Sequence, residues 1–254
     1  MLECDCTPCK AYARDSLREL SDLAQHVETK GFLLNNATET TIAFVYKRSF
    51  TPDQIDRLVA SGVREIIINH AWLGQAIERA FGNGEGFSCR IHYSPEVQAL
   101  ETAGGIANAL HYFGDEPFIV VSGDIYTEFN YHTLFKSAQT IQEGKVDAHL
   151  ILVNNPQFHP GGDMGLQNHL ICPDALPRFT YGNIGVFHPR LFSDLPKDEK
   201  KALFPWLYTF AQAGRVSGEL FDGVWENIGT PEQLTTLDTQ LRSNQPSHRL
   251  STEI

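Results

Sequence analysis

Asp124 is the residue of this chain whose position most strongly indicates chemistry. It ends the run 118–124 (FIVVSGD), in which apolar residues typical of a strand are followed by a short polar turn and a carboxylate. Ligands and metal ions of open α/β sheets gather at the carboxyl ends of strands. Because a Gly-Asp pair after a strand is often only a turn, the interpretation depends on two further motifs, residues 101–105 (ETAGG) and 225–230 (WENIGT).

The motif 101–105 places Gly104 and Gly105 where a loop is expected to enter a helix. Two glycines there let backbone amides approach a planar or anionic ligand closely. The alternative is an ordinary helix start in which Thr102 is the capping residue. Together with Asp124, in a sheet wound by helices, the motif favours a nucleotide-type site.

The elements that must position these residues follow from periodicity and capping signals. Residues 51–54 (TPDQ) combine Thr, Pro and Gln in the pattern of a helix N-terminus with a capping box. From there, helices are predicted at 51–61, 72–81, 105–113 and 131–143, and strands at 64–69, 89–93, 118–121 and 148–153. Strands that alternate with helices of this length predict an α/β fold, with a mostly parallel sheet between two helical layers.

The pattern is less regular after residue 153. Residues 154–178 hold many Pro, Gly and Asn residues and are expected to form an excursion on the active-site side. A strand at 179–187 and a helix at 200–213 follow. A second capping box at 230–233 (TPEQ) opens a helix to about residue 241.

Composition excludes several functional classes. The chain has 254 residues, of which 42% are hydrophobic and 20% charged, with a formal net charge of −11. A general binder of nucleic acid or of an anionic membrane needs a basic face, so neither partner is expected. No apolar run reaches the roughly 18 to 20 residues that span a bilayer, and the polar, acidic start does not resemble a secretory signal. With five unevenly spaced cysteines, these features predict a cytoplasmic protein.

Four segments in this order resemble the sugar-phosphate nucleotidyltransferases. They are residues 68–74 (INHAWLG), 100–105 (LETAGG), 121–124 (VSGD) and 229–232 (GTPE), and the resemblance covers roughly residues 57–241. It implies a Rossmann-like three-layer αβα nucleotidyltransferase fold. It also implies attack of a sugar 1-phosphate on the α-phosphorus of a nucleoside triphosphate, with release of pyrophosphate. Within the family, the uridylyltransferases for N-acetylmuramate 1-phosphate are most similar, and the mannose-1-phosphate guanylyltransferases come next.

The resemblance also implies a set of site residues. Asp124 matches the family's first Mg²⁺ carboxylate. The second carboxylate belongs to a Trp-x-Asp-x-Gly-Thr motif, and Asn227 stands at that position here. An amide oxygen can coordinate Mg²⁺ but brings no charge, so a weakened metal site is expected. The residues expected to contact the nucleotide and sugar phosphate are Asn69, Glu101, Thr102, Gly104, Gly105 and Asn183.

The first fifty residues depart from the family pattern. Family members open with an apolar strand, a Gly-rich loop with a basic residue and a Pro-Lys-Pro segment. None of these three is expected in residues 1–50, which contain one glycine, Gly31, and one proline, Pro8. We interpret residues 1–50 as an atypical segment that replaces this phosphate-loop module, through a disrupted reading frame or divergence. Residues 51–243 are the nucleotidyltransferase-like domain, and residues 244–254 a polar tail.

Two alternatives stay open at this point, and two others are disfavoured. One is a catalytically impaired homologue that binds or senses a sugar nucleotide, and a second is a guanylyltransferase acting on mannose 1-phosphate. A metal-dependent glycosyltransferase is disfavoured because Asp124 is followed by Ile125 and Tyr126, which supply no second acid of an Asp-x-Asp motif. A dehydrogenase is disfavoured because no strand is followed by Gly-x-Gly-x-x-Gly.

Overall fold

The structure is a computed structural model that describes residues 41–46, 52–71, 74–229, 233, 235–237 and 239. Several predictions lie outside the described residues: those for residues 1–40, for Thr51, for Trp72, for residues 230–232 and for the tail at 244–254. Gln233, residues 235–237 and Thr239 are helical, as the last predicted helix requires.

The strands and helices alternate through the first two thirds of the described chain. The strands are β1 Thr41–Tyr46, β2 Val63–His70, β3 Arg90–Pro95, β4 Phe118–Ser122, β5 Ile125–Thr127, β6 Ala148–Val153, β7 Met164–Gln167, β8 Leu170–Cys172, β9 Arg178–Phe187, β10 Val216–Phe221 and β11 Trp225–Asn227. The helices are α1 Pro52–Ala60, α2 Gly74–Phe81, α3 Glu101–Ala109, α4 Leu134–Gln142 and α5 Tyr208–Gln212.

Nine of the strands form one sheet in the order β3-β2-β1-β4-β9-β6-β10-β8-β7. The block β3-β2-β1-β4 is parallel throughout, and β6 pairs with β10 in parallel. Strand β9 runs antiparallel to both β4 and β6 and joins the two blocks. Strands β5 and β11 form a separate two-stranded antiparallel ribbon.

Helices cover both faces of the sheet because successive strand residues point to opposite sides. Ile67 and Val120 belong to the apolar core that includes residues of α3 and α5, whereas their neighbours Ile66 and Val121 belong to the core that includes residues of α1 and α4. Strand β4 is buried along its whole length, as the apolar run predicts. The α/β fold with three layers and a mostly parallel sheet is therefore confirmed.

Strand β1 corrects one expectation about the first fifty residues. Thr41–Tyr46 is an apolar strand between β2 and β4, in the middle of the parallel block. The expectation that no such strand precedes residue 51 was wrong. The strand has six residues, and the glycines expected after it are absent. It was therefore not recognised in the sequence.

The region after residue 153 contains more structure than the sequence predicted. The excursion at 154–178 holds the hairpin of β7 and β8, which pairs with β9 and β10. The predicted helix at 200–213 was wrong over its first half, because helix α5 begins only at Tyr208. Pro205 lacks an N–H and disfavours helical geometry at Phe204. In the described part of the chain, no helix is long and apolar enough to cross a membrane.

His149 is a buried histidine between β6 and β10 that makes the stability of the fold depend on pH. It stands in β6 opposite Ser217 of β10, its Nδ1 lies 2.9 Å from Ser217 Oγ, and the residue is buried. Its Nε2 has no hydrogen-bond partner among the described residues. Burial, reinforced by nearby His169, lowers the pKa of His149 to about 4. The folded protein therefore holds this imidazole neutral.

The free energy of unfolding should fall between pH 6.5 and pH 4 because of His149. The pKa of the His149 side chain is near 6.5 in the unfolded chain and about 4 in the folded protein. As the pH falls, the unfolded chain therefore takes up this proton first, which favours unfolding. Replacing His149→Gln should reduce the loss of stability between pH 7.5 and pH 5 by on the order of 2 kcal/mol. Urea unfolding of both proteins at the two pH values measures this, and equal losses would contradict it.

Candidate active site

The loop after β4 holds the Asp124 carboxylate in a fixed place. Ser122 Oγ donates a hydrogen bond to Asp124 Oδ1. The backbone N–H of Ile228 donates to Asp124 O at 2.8 Å, which attaches the loop to the segment that follows β11. Asp124 is thus held by its side chain and its backbone, at the end of a wholly buried strand.

Gln54 supports the same loop from helix α1. Its Nε2 donates to the carbonyl oxygens of Ser122 and Ile125, both at 3.0 Å, so the two bonds lie on either side of Asp124. Gln54 is 4% exposed. The sequence identified Gln54 only as the third helical residue, which completes a capping box. No sequence signal indicated its contact with the loop, because the two elements are far apart along the chain.

The ribbon of β5 and β11 brings Asn227 to Asp124. Asn227 pairs with Ile125, the residue directly after Asp124. A Cβ atom built on Gly229 would lie 3.5 Å from Asp124 Oδ2 and 3.6 Å from Asn227 Nδ2, so both side chains face the space above this glycine. The two residues predicted as metal ligands are therefore neighbours. Glu226 pairs with Tyr126 and, in an extended strand, points to the other face of the ribbon.

A cavity of about 400 Å³ opens at the carboxyl ends of β2 and β3. Four of the predicted substrate-binding residues line it, namely Asn69, Glu101, Thr102 and Asn183. Apolar walls come from Ile77, Leu203 and Phe204. The cavity is wide enough for a ring-shaped ligand, and its polar lining lies mainly on the side of β2 and α3.

The two predicted glycines have a structural use that the sequence did not reveal. Helix α3 begins at Glu101, earlier than predicted, so Gly104 and Gly105 lie inside it, and Thr102 is not its cap. The N–H of Gly104 donates to Lys201 O at 3.1 Å, and a Cβ at 104 would lie 2.4 Å from Glu199 O. Gly104 thus admits the neighbouring segment, and its contact with a ligand stays a prediction.

Gly105 makes room for two polar side chains at the cavity. A Cβ at position 105 would lie 2.7 Å from Glu96 Oε1 and 2.9 Å from Asn69 Nδ2. Glu96 also lines the cavity, and the sequence did not single it out. Because it has no side chain, Gly105 leaves space for the side chains of Glu96 and Asn69.

Asn183 lines the cavity and also lies beside the end of β4. It has a φ of 57° and lies where the pairing of β9 with β6 shifts register between Ile151 and Leu152. Such bulges turn a side chain away from its regular direction. Its neighbour Ile184 pairs with Val121, so Asn183 lies beside the end of β4. Trp225 Nε1 donates to Gly182 O at 2.8 Å, which ties β11 to the same bulge.

Tyr181 is oriented by a cluster of polar groups from the 154–178 excursion. Asp163 Oδ2 accepts the Tyr181 N–H at 2.8 Å, and Asp163 Oδ1 lies 3.0 Å from His159 Nε2. The Tyr181 ring lines the cavity and packs edge-on against Phe204 at 5.5 Å between centroids. Through this bond the excursion helps to hold Tyr181 at the cavity wall.

The charge of the cavity restricts what it can bind. Glu96 and Glu101 contribute carboxylates, and the described residues that line the cavity include no Lys or Arg. Lys200 Nζ contacts Glu101 Oε1 at 3.0 Å near the surface. Because like charges repel, phosphate groups are disfavoured inside this cavity. An uncharged ring with hydrogen-bond donors suits it better.

The donor atoms near Asp124 suit a hard cation. Among the described residues, no group of three or more His, Cys, Asp or Glu side chains is placed to hold a metal ion. The carboxylate of Asp124 and the amide of Asn227 supply two oxygen donors above Gly229. Mg²⁺ is commonly held by one or two such groups, with waters and phosphates completing its shell.

Comparisons with known proteins agree with this geometry. The chain matches the Nucleotidyl transferase family over residues 36–158, which includes β1 and begins earlier than the motifs indicated. It is 39% identical over 183 residues to N-acetylmuramate alpha-1-phosphate uridylyltransferase of Neisseria meningitidis serogroup B, covering 68% of this chain and 77% of the relative. The protein of the same name from Caulobacter vibrioides is 28% identical over 235 residues, covering 86% and 95%.

The fold has solved counterparts. The crystal structure of HddC from Yersinia pseudotuberculosis superposes with a TM-score of 0.63 at 17% identity, covering 80% of this chain and all 100% of that one. Identity this low supports the fold alone, whereas the 39% relative carries the family assignment. By fold and by sequence, the chain belongs to the sugar-phosphate nucleotidyltransferase family.

Proposed function

We propose that the protein transfers UMP from UTP to N-acetylmuramate 1-phosphate and releases pyrophosphate. A phosphate oxygen of the sugar phosphate forms a bond to the α-phosphorus of UTP, and the bond between that phosphorus and the α,β-bridging oxygen breaks. The electron pair leaves with pyrophosphate. Two relatives at 39% and 28% identity carry this activity in their names. We place the reaction in the cytoplasm, in cell-wall recycling.

The proposal rests on one observation, that the side chains of Asp124 and Asn227 lie next to each other at Gly229. The acidic cavity lies at the carboxyl ends of β2 and β3. The α-phosphate belongs at this pair, with the base in the cavity and the sugar phosphate approaching from the side of Asn183. An in-line displacement of this kind requires positioning and charge neutralisation rather than a protein nucleophile. The fixed loop around Asp124 provides the positioning.

We infer that Mg²⁺ is the metal of this site. The donors fit the ion, because both are hard oxygen groups and a side chain at 229 would fill the space between them. When bound, the ion would neutralise negative charge on the phosphates. Asp124 would carry the only protein charge of this pair, so affinity for the free ion should be low and should rise with nucleotide present.

The rival proposal is a homologue that binds the nucleotide sugar without turnover. It is favoured by Asn227, which replaces a carboxylate, and by the missing Gly-rich loop in residues 1–50. Binding without pyrophosphate release would support the rival. Release with GTP and mannose 1-phosphate, in preference to UTP and N-acetylmuramate 1-phosphate, would support the guanylyltransferase alternative.

Asp124→Ala should slow pyrophosphate release at least about 100-fold. The variant removes the only carboxylate of the donor pair, and losses of about 10²- to 10³-fold are typical when a group that stabilises the transition state is deleted. A coupled pyrophosphate assay with UTP and N-acetylmuramate 1-phosphate measures this. Glu226→Gln is the matched control, because this acid adjoins Asn227 but points to the opposite face of the ribbon. Unchanged turnover in Asp124→Ala would contradict the proposal.

Asn227→Asp should strengthen metal binding. A second carboxylate beside Asp124 increases attraction for the cation, so the Mg²⁺ concentration at half-maximal rate should fall by about tenfold. Without metal, the two carboxylates repel, and the variant should unfold at a lower temperature in EDTA. Rates measured over a range of Mg²⁺, together with melting curves, test both effects. A higher Mg²⁺ requirement would count against Asn227 as a ligand.

Gln54→Leu should weaken the site through the Asp124 loop. The change keeps the side-chain size but removes the two hydrogen bonds to the carbonyls around Asp124. Each such bond is worth about 1 kcal/mol, so the Mg²⁺ concentration at half-maximal rate should rise about five- to tenfold. Asp56→Asn, at an exposed position of the same helix, is the control. An unchanged Mg²⁺ requirement would exclude this positioning role.

A further inference from the structure

A second cavity lies at the C-terminal end of helix α3, against strand β3. It is lined by residues of β3, by the last turn of α3 with the turn at 110–112, and by residues 197–198. None of these residues lines the first cavity. Its volume is about 270 Å³, near the lower limit of about 300 Å³ for ligand pockets, so it suits a small ligand.

Ser94 offers a buried hydroxyl to the second cavity. The residue is 6% exposed and lines the cavity. Its side chain makes no hydrogen bond in the part of the chain that the structure describes. Buried hydroxyls normally have a partner, because losing water without gaining a new hydrogen bond costs free energy. A ligand with an acceptor oxygen would satisfy this hydroxyl.

Lys197 and His111 bring nitrogen atoms to the same cavity. Lys197 is exposed and forms no ion pair with any described residue. His111 Nδ1 lies 3.1 Å from Asn108 O, and because a carbonyl only accepts, Nδ1 carries the hydrogen. His111 Nε2 is left for a ligand, where it accepts a P–OH hydrogen when neutral and donates when protonated. With the Lys197 ammonium, these groups suit a phosphate.

Asp198 adds an acceptor that is fixed in place. Its N–H donates to Asn108 Oδ1 at 2.8 Å, and Asn108 Nδ2 donates to Asp198 Oδ1 at 3.0 Å. Asp198 has a φ of 60°, which is uncommon for a residue other than glycine, so this reciprocal pair holds the backbone in a costly conformation. Its second carboxylate oxygen can accept a hydroxyl of a ligand. A molecule with both a phosphate and hydroxyl groups matches this lining.

We propose that the second cavity binds a sugar phosphate as an effector. Ser94, His111 and Lys197 hold the phosphate group, and Asp198 accepts a hydroxyl of the sugar. Free phosphate would engage only the first three groups and should bind more weakly. Binding at this cavity does not depend on the proposed function, because the two cavities have no lining residue in common.

The segment 197–204 connects the second cavity to the first. Lys201 N–H donates to Leu100 O at 2.8 Å, and Lys201 O accepts the N–H of Ala103 at 3.0 Å. The next residues, 202–204, line the first cavity. An effector that fixes the start of this segment therefore orders a wall of the first cavity. UTP should then bind more tightly, since less order remains to be imposed; this effect on UTP rests on the proposed function.

Calorimetry with glucose 6-phosphate, inorganic phosphate and glucose tests the binding site. The wild-type protein should bind glucose 6-phosphate about tenfold tighter than the other two probes, because each lacks one set of hydrogen bonds. Lys197→Met should weaken binding of glucose 6-phosphate about tenfold and Ser94→Ala about fivefold, since each removes a hydrogen bond to the phosphate. Lys136→Met is the matched control, because it removes an exposed lysine from α4, on the other face of the sheet.

Two measurements test the effector role. Saturating glucose 6-phosphate should lower the dissociation constant of UTP, measured with Mg²⁺, about fivefold in the wild-type protein and leave it unchanged in Lys197→Met. Amide hydrogen exchange of residues 197–204 should slow when glucose 6-phosphate binds, whether or not UTP is present. The second measurement does not require the chain to bind a nucleotide.

Wild-type protein that binds none of the three probes, or binds inorganic phosphate as tightly as glucose 6-phosphate, would overturn the inference. Equal affinity of the wild type and Lys197→Met for glucose 6-phosphate would also overturn it. Unchanged or weaker UTP binding in the presence of glucose 6-phosphate would overturn the effector role. Failure to bind UTP at all, with slower exchange of residues 197–204 on binding of glucose 6-phosphate, would contradict the proposed function and support the second cavity.

Discussion

Strand β9 is the constraint on which the site depends. It is hydrogen-bonded to β4 on one side and to β6 on the other, so it joins the two parallel blocks into one sheet. Where β9 passes the end of β4, its register shifts and Asn183 takes a left-handed conformation. The cavity wall at Tyr181 and the anchor for Trp225 lie at this same point. A strand without this bulge would provide neither this cavity wall nor this anchor.

The alternating part of the fold could be predicted because each element carries its own signal. Strands such as β2 and β4 are apolar and buried, and helix α1 begins with Pro52 at its first position. The later elements lack such signals. Strands β5 and β11 have three residues each, too few to show a period, and are held by pairing with each other. Tertiary contacts, which are not visible locally, define them.

The candidate site divides in the same way. Asp124 and Asn227 could be found because motifs mark them, and the ribbon brings them together. Gln54 and Glu96 could not, because their hydrogen bonds join residues that are distant in sequence. The contact of Gly104 with a neighbouring segment was not predicted, since a glycine that admits a ligand and one that admits a chain segment look alike in sequence. Only the position of Lys201 O distinguishes the two uses.

The ribbon of β5 and β11 also joins two distant parts of the chain. Asp124 and Asn227 are far apart in sequence, and the pairing of β11 with β5 brings them together. During synthesis on the ribosome, a chain that has not yet emerged past residue 227 holds the residues of β2, β3 and α3 but only one residue of the Asp124–Asn227 pair. The pair is therefore complete only once β11 has been made.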